Sequence, residues 1–205
     1  SALREIGAEK LSDTGEVQER GFVLTDVWTP VVDECLEAGQ WNFAMRSAKL
    51  AADTGITPDF GSLTEVFAKP TDWVRTVAAS GNEDFQPPLT ESEFQDEDGN
   101  WLASVTPIYA RWVSDDTGYG YDLLKWPASF TRYVELSLAS RICRRITQST
   151  ADKEHIDNDL KVAKRSALNK DAQNEGIKFM PSGSWVRARL GGRRGDRGSR
   201  SNLTG

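Results

Sequence analysis

The chain is poor in the side chains that most often carry metal and nucleophile chemistry. Among 205 residues there is one histidine, His155, and there are two cysteines, Cys35 and Cys143. One imidazole and two distant thiols cannot supply the ligand set of an ordinary zinc site. Both cysteines fall on amphipathic helical patterns, which reads them as buried free thiols. Nothing in the sequence marks either as an activated thiolate. His155 falls in the first turn of a charged helix, a solvated position. No apolar run approaches the roughly 20 residues needed to cross a bilayer. Residues 1–6 carry no basic stretch followed by an apolar one, so no secretory leader is expected and an intracellular setting is. The sequon-like Asn202-Leu203-Thr204 then carries no weight. A Walker A loop, a G-x-S-x-G elbow and a dinucleotide fingerprint are all missing. Gly118-Tyr119-Gly120-Tyr121 is a loop with no lysine or hydroxyl placed to hold a phosphate. These absences lead to the expectation of a non-enzymatic protein with no catalytic residue, no metal and no cofactor.

What the chain does have is a split of charge. The net charge is −6, but residues 176–205 hold seven basic residues against the single acid Asp196, a net +6. Residues 1–175 therefore carry −12. An acidic body followed by a basic segment is a pattern of interaction proteins. It argues against ordinary DNA binding through the body, since phosphate affinity needs clustered cations.

Hydrophobic spacing sets the expected elements. A short helix is expected from Ala2 to about Leu11. Thr29-Pro30 reads as a helix start, with Val31, Val32, Cys35 and Leu36 as its apolar stripe and Gly39 as its stop. Trp41 and Phe43 follow directly and read as an anchor between helix and sheet. Residues 43–50 are expected to be extended or mixed. The runs 66–69, 73–79, 91–95, 101–105 and 108–113 are rich in β-branched and aromatic residues and read as short strands, with Glu97-Asp98-Gly99-Asn100 as a hairpin turn. Pro127 opens a helix whose apolar face includes Phe130, Tyr133, Val134, Leu138, Ile142, Cys143 and Ile146. Ser149 to Asp152 reads as a new helix start, and the last helix runs to about Asn174. The last two helices form an antiparallel hairpin.

The fold expected from this reading is α+β and mainly α. Residues 1–61 and 119–175 form a helical-bundle body, residues 62–118 a small antiparallel β insertion, and residues 176–205 an extended basic C-terminal arm. The arm has no helical period and too little apolar area to offset its ordering entropy, so it is expected to order only on a partner. Trp185 with Arg187 and Arg189 has the composition of an interface hot spot, and its alternation fits strand addition. Phe179, Arg193 and Arg194 extend the docking set.

Two other readings have a residue basis. The Arg-Gly repeats after Gly191 fit a nucleic-acid-binding tail. The acidic pairs Glu91/Glu93 and Asp96/Glu97, near several of the seven tryptophans, fit a hydrolytic or carbohydrate-active site if a deep cleft holds them. As a calcium loop, residues 96–100 lack the spacing and the terminal bidentate acid.

The order of features resembles the head-to-tail adaptor family of short-tailed bacteriophages, the tail tubular protein A-like proteins. The features are Gly39-x-Trp41-Asn42-Phe43-Ala44 with Ala48-Lys49-Leu50, then the proline–acid step Lys69-Pro70-Thr71-Asp72-Trp73-Val74-Arg75. After the glycine hairpin come Tyr109-Ala110-Arg111, Pro127-x-x-Phe130 opening a long helix, a charged helix, and the aromatic–arginine segment Trp185, Arg187, Arg189. The stretch beyond Leu190 has no counterpart. The resemblance implies a virion protein assembled in the bacterial host cytoplasm. It implies a dodecameric ring beneath the portal protein, reached through the C-terminal arm. It also implies a lower face that receives the next tail or nozzle protein, and a lumen that passes double-stranded DNA without specific binding.

Overall fold

The described part of the computed structural model comprises residues 2–5, 19–56, 58, 61–97, 99–147 and 149–174. Its elements are α1 (Ala2–Glu5), α2 (Glu19–Glu37), a 3-10 turn (Asn42–Ala44), β1 (Met45–Leu50), β2 (Glu65–Ala68), β3 (Trp73–Ser80), β4 (Phe94–Glu97), β5 (Asn100–Ala103), β6 (Ile108–Ser114), α3 (Ala128–Thr147) and α4 (Thr150–Asn174). The described residues all belong to one compact unit; residues 175–205, the expected arm, lie outside the described residues.

The strands make two antiparallel three-stranded sheets, ordered β1-β6-β3 and β2-β5-β4. The first sheet is the middle layer of three. Along β6, Ile108, Ala110 and Trp112 join the apolar cluster that contains Phe67 and Trp101 of the second sheet. Val113, on the opposite face, joins the cluster built from α2 and α3. This is the period of two of a pleated strand with both faces covered. In β3, Val74 and Val77 both pack with the helical cluster although they are three residues apart. The register against β6 slips between Trp73 and Arg75 and again between Thr76 and Ala78, and these irregularities break the alternation.

This arrangement corrects the expected helical bundle with a small β insertion. The described residues form a mixed α/β fold, with three long helices and two three-stranded sheets. The physical reason lies in residues 45–50. Assigned to the body, they form β1 and pair in unbroken register with β6, from Met45↔Val113 to Leu50↔Ile108. The helices bury their apolar faces on that sheet as well as on each other.

The helix start expected at Pro30 also falls inside an element, since α2 runs from Glu19 to Glu37. An interior proline costs about 3 kcal/mol. Against it stands a longer stripe than the sequence reading used: Leu24, Val27 and Trp28 pack on the core together with Val31, Val32, Cys35 and Leu36. That is spacing of three and four over four turns, enough burial to outweigh the missing hydrogen bond. The end of α2 is closed by side chains from elsewhere. The Cys35 carbonyl accepts from Trp41 Nε1 at 2.8 Å, and the Glu37 carbonyl accepts from Arg75 of β3 at 3.2 Å.

Helices α3 and α4 pair through an apolar seam that includes Ile142, Ile156 and Ala167. The Ser149 hydroxyl accepts from the Asp152 N–H at 3.2 Å as the N-cap of α4. Arg141 ties α3 to Glu34 of α2 at 2.5 Å, and Arg132 ties it to Glu5 of α1 at 2.5 Å.

Candidate functional site

The docking residues expected from the sequence, Phe179, Trp185, Arg187, Arg189, Arg193 and Arg194, lie outside the described residues. Within the described unit, Trp41 is buried, its ring edge-on to Phe130 at 4.8 Å and tilted against Tyr133 at 6.3 Å. Phe43 packs on the same Phe130 ring at 4.7 Å. Together with the bond from Trp41 to the end of α2, these contacts hold α2 to α3 and set the turn that leads into β1.

Two polar nodes link the layers. In the first, the Asp72 carboxylate sits at the mouth of β3 and accepts from Ser114 Oγ at 2.5 Å, Arg46 Nη1 at 2.8 Å and Trp112 Nε1 at 3.3 Å. Burial pushes this carboxyl upward, but the donors from Ser114, Arg46 and Trp112 outweigh it and hold Asp72 below the ordinary carboxylate range. The Arg46 guanidinium also covers the Trp112 and Tyr119 rings, at 5.6 and 5.4 Å. Asp72 thus joins β1, β3, β6 and the loop after β6. That loop passes so close that a Cβ on Gly120 would lie 2.2 Å from the Ser114 carbonyl oxygen, which only glycine permits.

The second node joins the two sheets. Asp96 of β4 takes Lys69 at 2.5 Å, the Thr76 hydroxyl at 2.9 Å and Trp101 Nε1 at 3.2 Å. Thr76 in turn accepts from Trp73 and Trp101, at 3.0 and 2.9 Å. Lys69 lies over the Trp73 ring, 3.6 Å from its centre. The tryptophans expected to flank paired carboxylates do flank Asp96, but its oxygens are occupied by three donors. The hollow beside it, lined by Glu37, Trp73, Arg75, Thr76 and Asp96 among others, holds about 350 Å³ and is wide open. Glu93 is turned to the Thr90 backbone N–H and hydroxyl, at 3.0 and 2.8 Å, and Glu97 is exposed.

A further acidic group lies where the loop after β6 meets α2. Tyr121 donates to Asp33 at 2.8 Å, and burial, then Asp33, pushes the phenol far above its ordinary value. Asp115 nearby is raised as well, by burial first and then by the charges of Asp33, Asp72 and Asp116. The sequence reading missed both nodes and this group. The one sign of the first node was the proline–acid step at Pro70 to Asp72.

His155 is exposed on α4 and faces Asp159 at 3.5 Å. Cys35 and Cys143 are buried free thiols, and burial pushes the Cys35 thiol up, away from the reactive thiolate. Among the described residues, no group of three or more His, Cys, Asp or Glu side chains is placed to hold a metal ion, and no helix is long and apolar enough to cross a membrane. No protein-family model matches the chain, and no curated protein matches it.

Proposed function

We propose that this chain is a structural, non-catalytic virion protein: a head-to-tail adaptor that forms a ring beneath the portal of a short-tailed phage. The observation that carries the reading is the charge split, −12 over residues 1–175 against +6 over residues 176–205. A single chain with an acidic body and an aromatic, arginine-rich arm is suited to dock by the arm while the body repels nucleic acid. The proposed ring passes double-stranded DNA through an acidic lumen, so that the genome slides without sticking. Its other face receives the next tail or nozzle protein. The occupied carboxylates of both nodes support a scaffold role, since each is spent on holding strands together.

The proposed test measures docking of the chain to purified portal. Trp185→Ala is expected to weaken docking by about 2 kcal/mol or more, the loss typical of an interface hot spot. Docking is expected to change little with salt. A steep fall of affinity for DNA with log salt, together with portal binding unaffected by Trp185→Ala, would instead identify the arm as a nucleic-acid-binding tail.

A further inference from the structure

The edges of the two sheets differ in how they end. Strand β2 has its outer side met by the incoming chain, with the Asp53 N–H bonded to the Val66 carbonyl at 2.7 Å. Strand β3 has its outer side met by Leu89, whose N–H reaches the Ala79 carbonyl at 2.9 Å, and its two register slips distort it further. On β1 and β4 only the first amide turns back on the local chain, Met45 N–H to the Asn42 carbonyl and Phe94 N–H to the Thr90 carbonyl at 3.0 Å, and among the described residues the rest of each outer side is not met in this way. Each lies at the end of its sheet, and among the described residues no backbone hydrogen bond joins the outer side of either strand to a further strand. Strand β1 keeps six residues in unbroken register, without proline or bulge. A regular edge of that kind is a template for another strand.

The sheets stack strand on strand. Trp101 of β5 lies 6.1 Å from Trp112 of β6, which puts the two central strands together. Thr76 of β3 bonds to Asp96 of β4. The segment leaving β1 bonds to β2 through Asp53. Strands β1 and β4 therefore lie on opposite edges of the sandwich.

Their charges are opposite as well. The β1 edge is basic: Lys49 is exposed beside the Tyr109 ring, Arg111 donates to Ser47 at 3.1 Å, and residues 45–52 include no acid. The β4 edge is acidic: Glu97 on the strand and Glu91 in the turn before it are exposed, while Glu93 is turned to Thr90 and Asp96 is bonded to Lys69 and Thr76. Like-charge repulsion disfavours joining either edge to its own copy, whereas basic edge to acidic edge is attractive.

We infer that neighbouring copies of this chain join head to tail by strand addition, the outer edge of β1 in one copy pairing with the outer edge of β4 in the next. A contact of two different surfaces on opposite sides of the molecule generates rings or filaments rather than a closed dimer. The inference rests on the ring reading above and supplies its contact.

The test uses the full chain, with assembly followed by native mass spectrometry and backbone hydrogen exchange. The expected result is protection gained on assembly at residues 45–50 and 94–97. Lys49→Glu and Glu97→Lys alone each weaken assembly by about tenfold, through attraction turned to repulsion, and the two together restore it. Both side chains are exposed, so the variants keep the fold, which circular dichroism verifies. Rings that assemble alike in the wild type and both single variants, or without protection at these strands, overturn the edge pairing and leave the ring reading standing. A wild-type chain that stays monomeric at every concentration overturns both.

Discussion

The two sheets have the same number of strands and the same antiparallel pairing, yet they are built for different duties. The β1-β6-β3 sheet is covered by helices on one face and by the second sheet on the other, and its central strand has no exposed residue. The β2-β5-β4 sheet has one buried face, and three of the four residues of β4 are exposed. Burial on both faces makes the middle sheet the part on which the other layers depend. Burial on one face leaves the outer sheet with acidic side chains in solvent.

The largest expected effect strikes the middle layer. Trp112→Ala removes a side chain that fills the space between the sheets and donates to Asp72, at an expected cost of about 3–5 kcal/mol in denaturant unfolding. Phe94→Ala in β4, only partly buried, is expected to cost clearly less. Equal losses from the two would erase the distinction between the sheets.

Asp72→Ala is next. It leaves the Ser114 hydroxyl and the Trp112 N–H buried without their acceptor, at a cost of about 2–3 kcal/mol. The same residue predicts acid sensitivity. Its carboxyl is held below its ordinary value when folded, so its contribution is complete above the unfolded value of about pH 4 and is lost as pH falls through the lower folded value. In Asp72→Ala that part of the pH dependence is expected to vanish from melting curves taken across the acid range.

Asp96→Ala sharpens the contrast from the outer sheet. This carboxylate holds Lys69, Thr76 and Trp101 but is partly exposed, so about 1 kcal/mol is expected. Hydrogen exchange is expected to show the loss in β4 and β5 before β6.

The smallest effect has the opposite sign. Asp115 is raised by burial and by the acids around it, so its charge opposes folding at neutral pH, and protonation relieves that penalty as pH falls through its raised folded value. Asp115→Asn is expected to stabilise the protein by less than about 1 kcal/mol at neutral pH, with the gain fading in acid.

Local signals in the sequence were legible where the physics is local. Gly99 stands at φ 73° in the β4–β5 turn, Pro127 immediately precedes α3, and Ser149 caps α4. Elements fixed by distant partners were not. Strand β1 reads weakly because Arg46, Ser47, Ala48 and Lys49 show little alternation; its place is set by β6, with Ser47 and Arg111 64 residues apart. The strand expected over residues 91–95 lies at 94–97, because Thr90 donates both its N–H and its hydroxyl to the Glu93 carboxylate and so holds residues 90–93 in a turn. The Asp72 node was almost invisible, since its partners Arg46 and Ser114 lie 26 and 42 residues away. The arm could be read only by composition, which gives its charge and its aromatic anchor but no contact.

The most direct test of the account is binding of purified portal to the full chain and to a chain that ends at Glu175. The account predicts that the shortened chain melts as the full one does and no longer joins the portal. Portal binding of unchanged affinity by the shortened chain would contradict it.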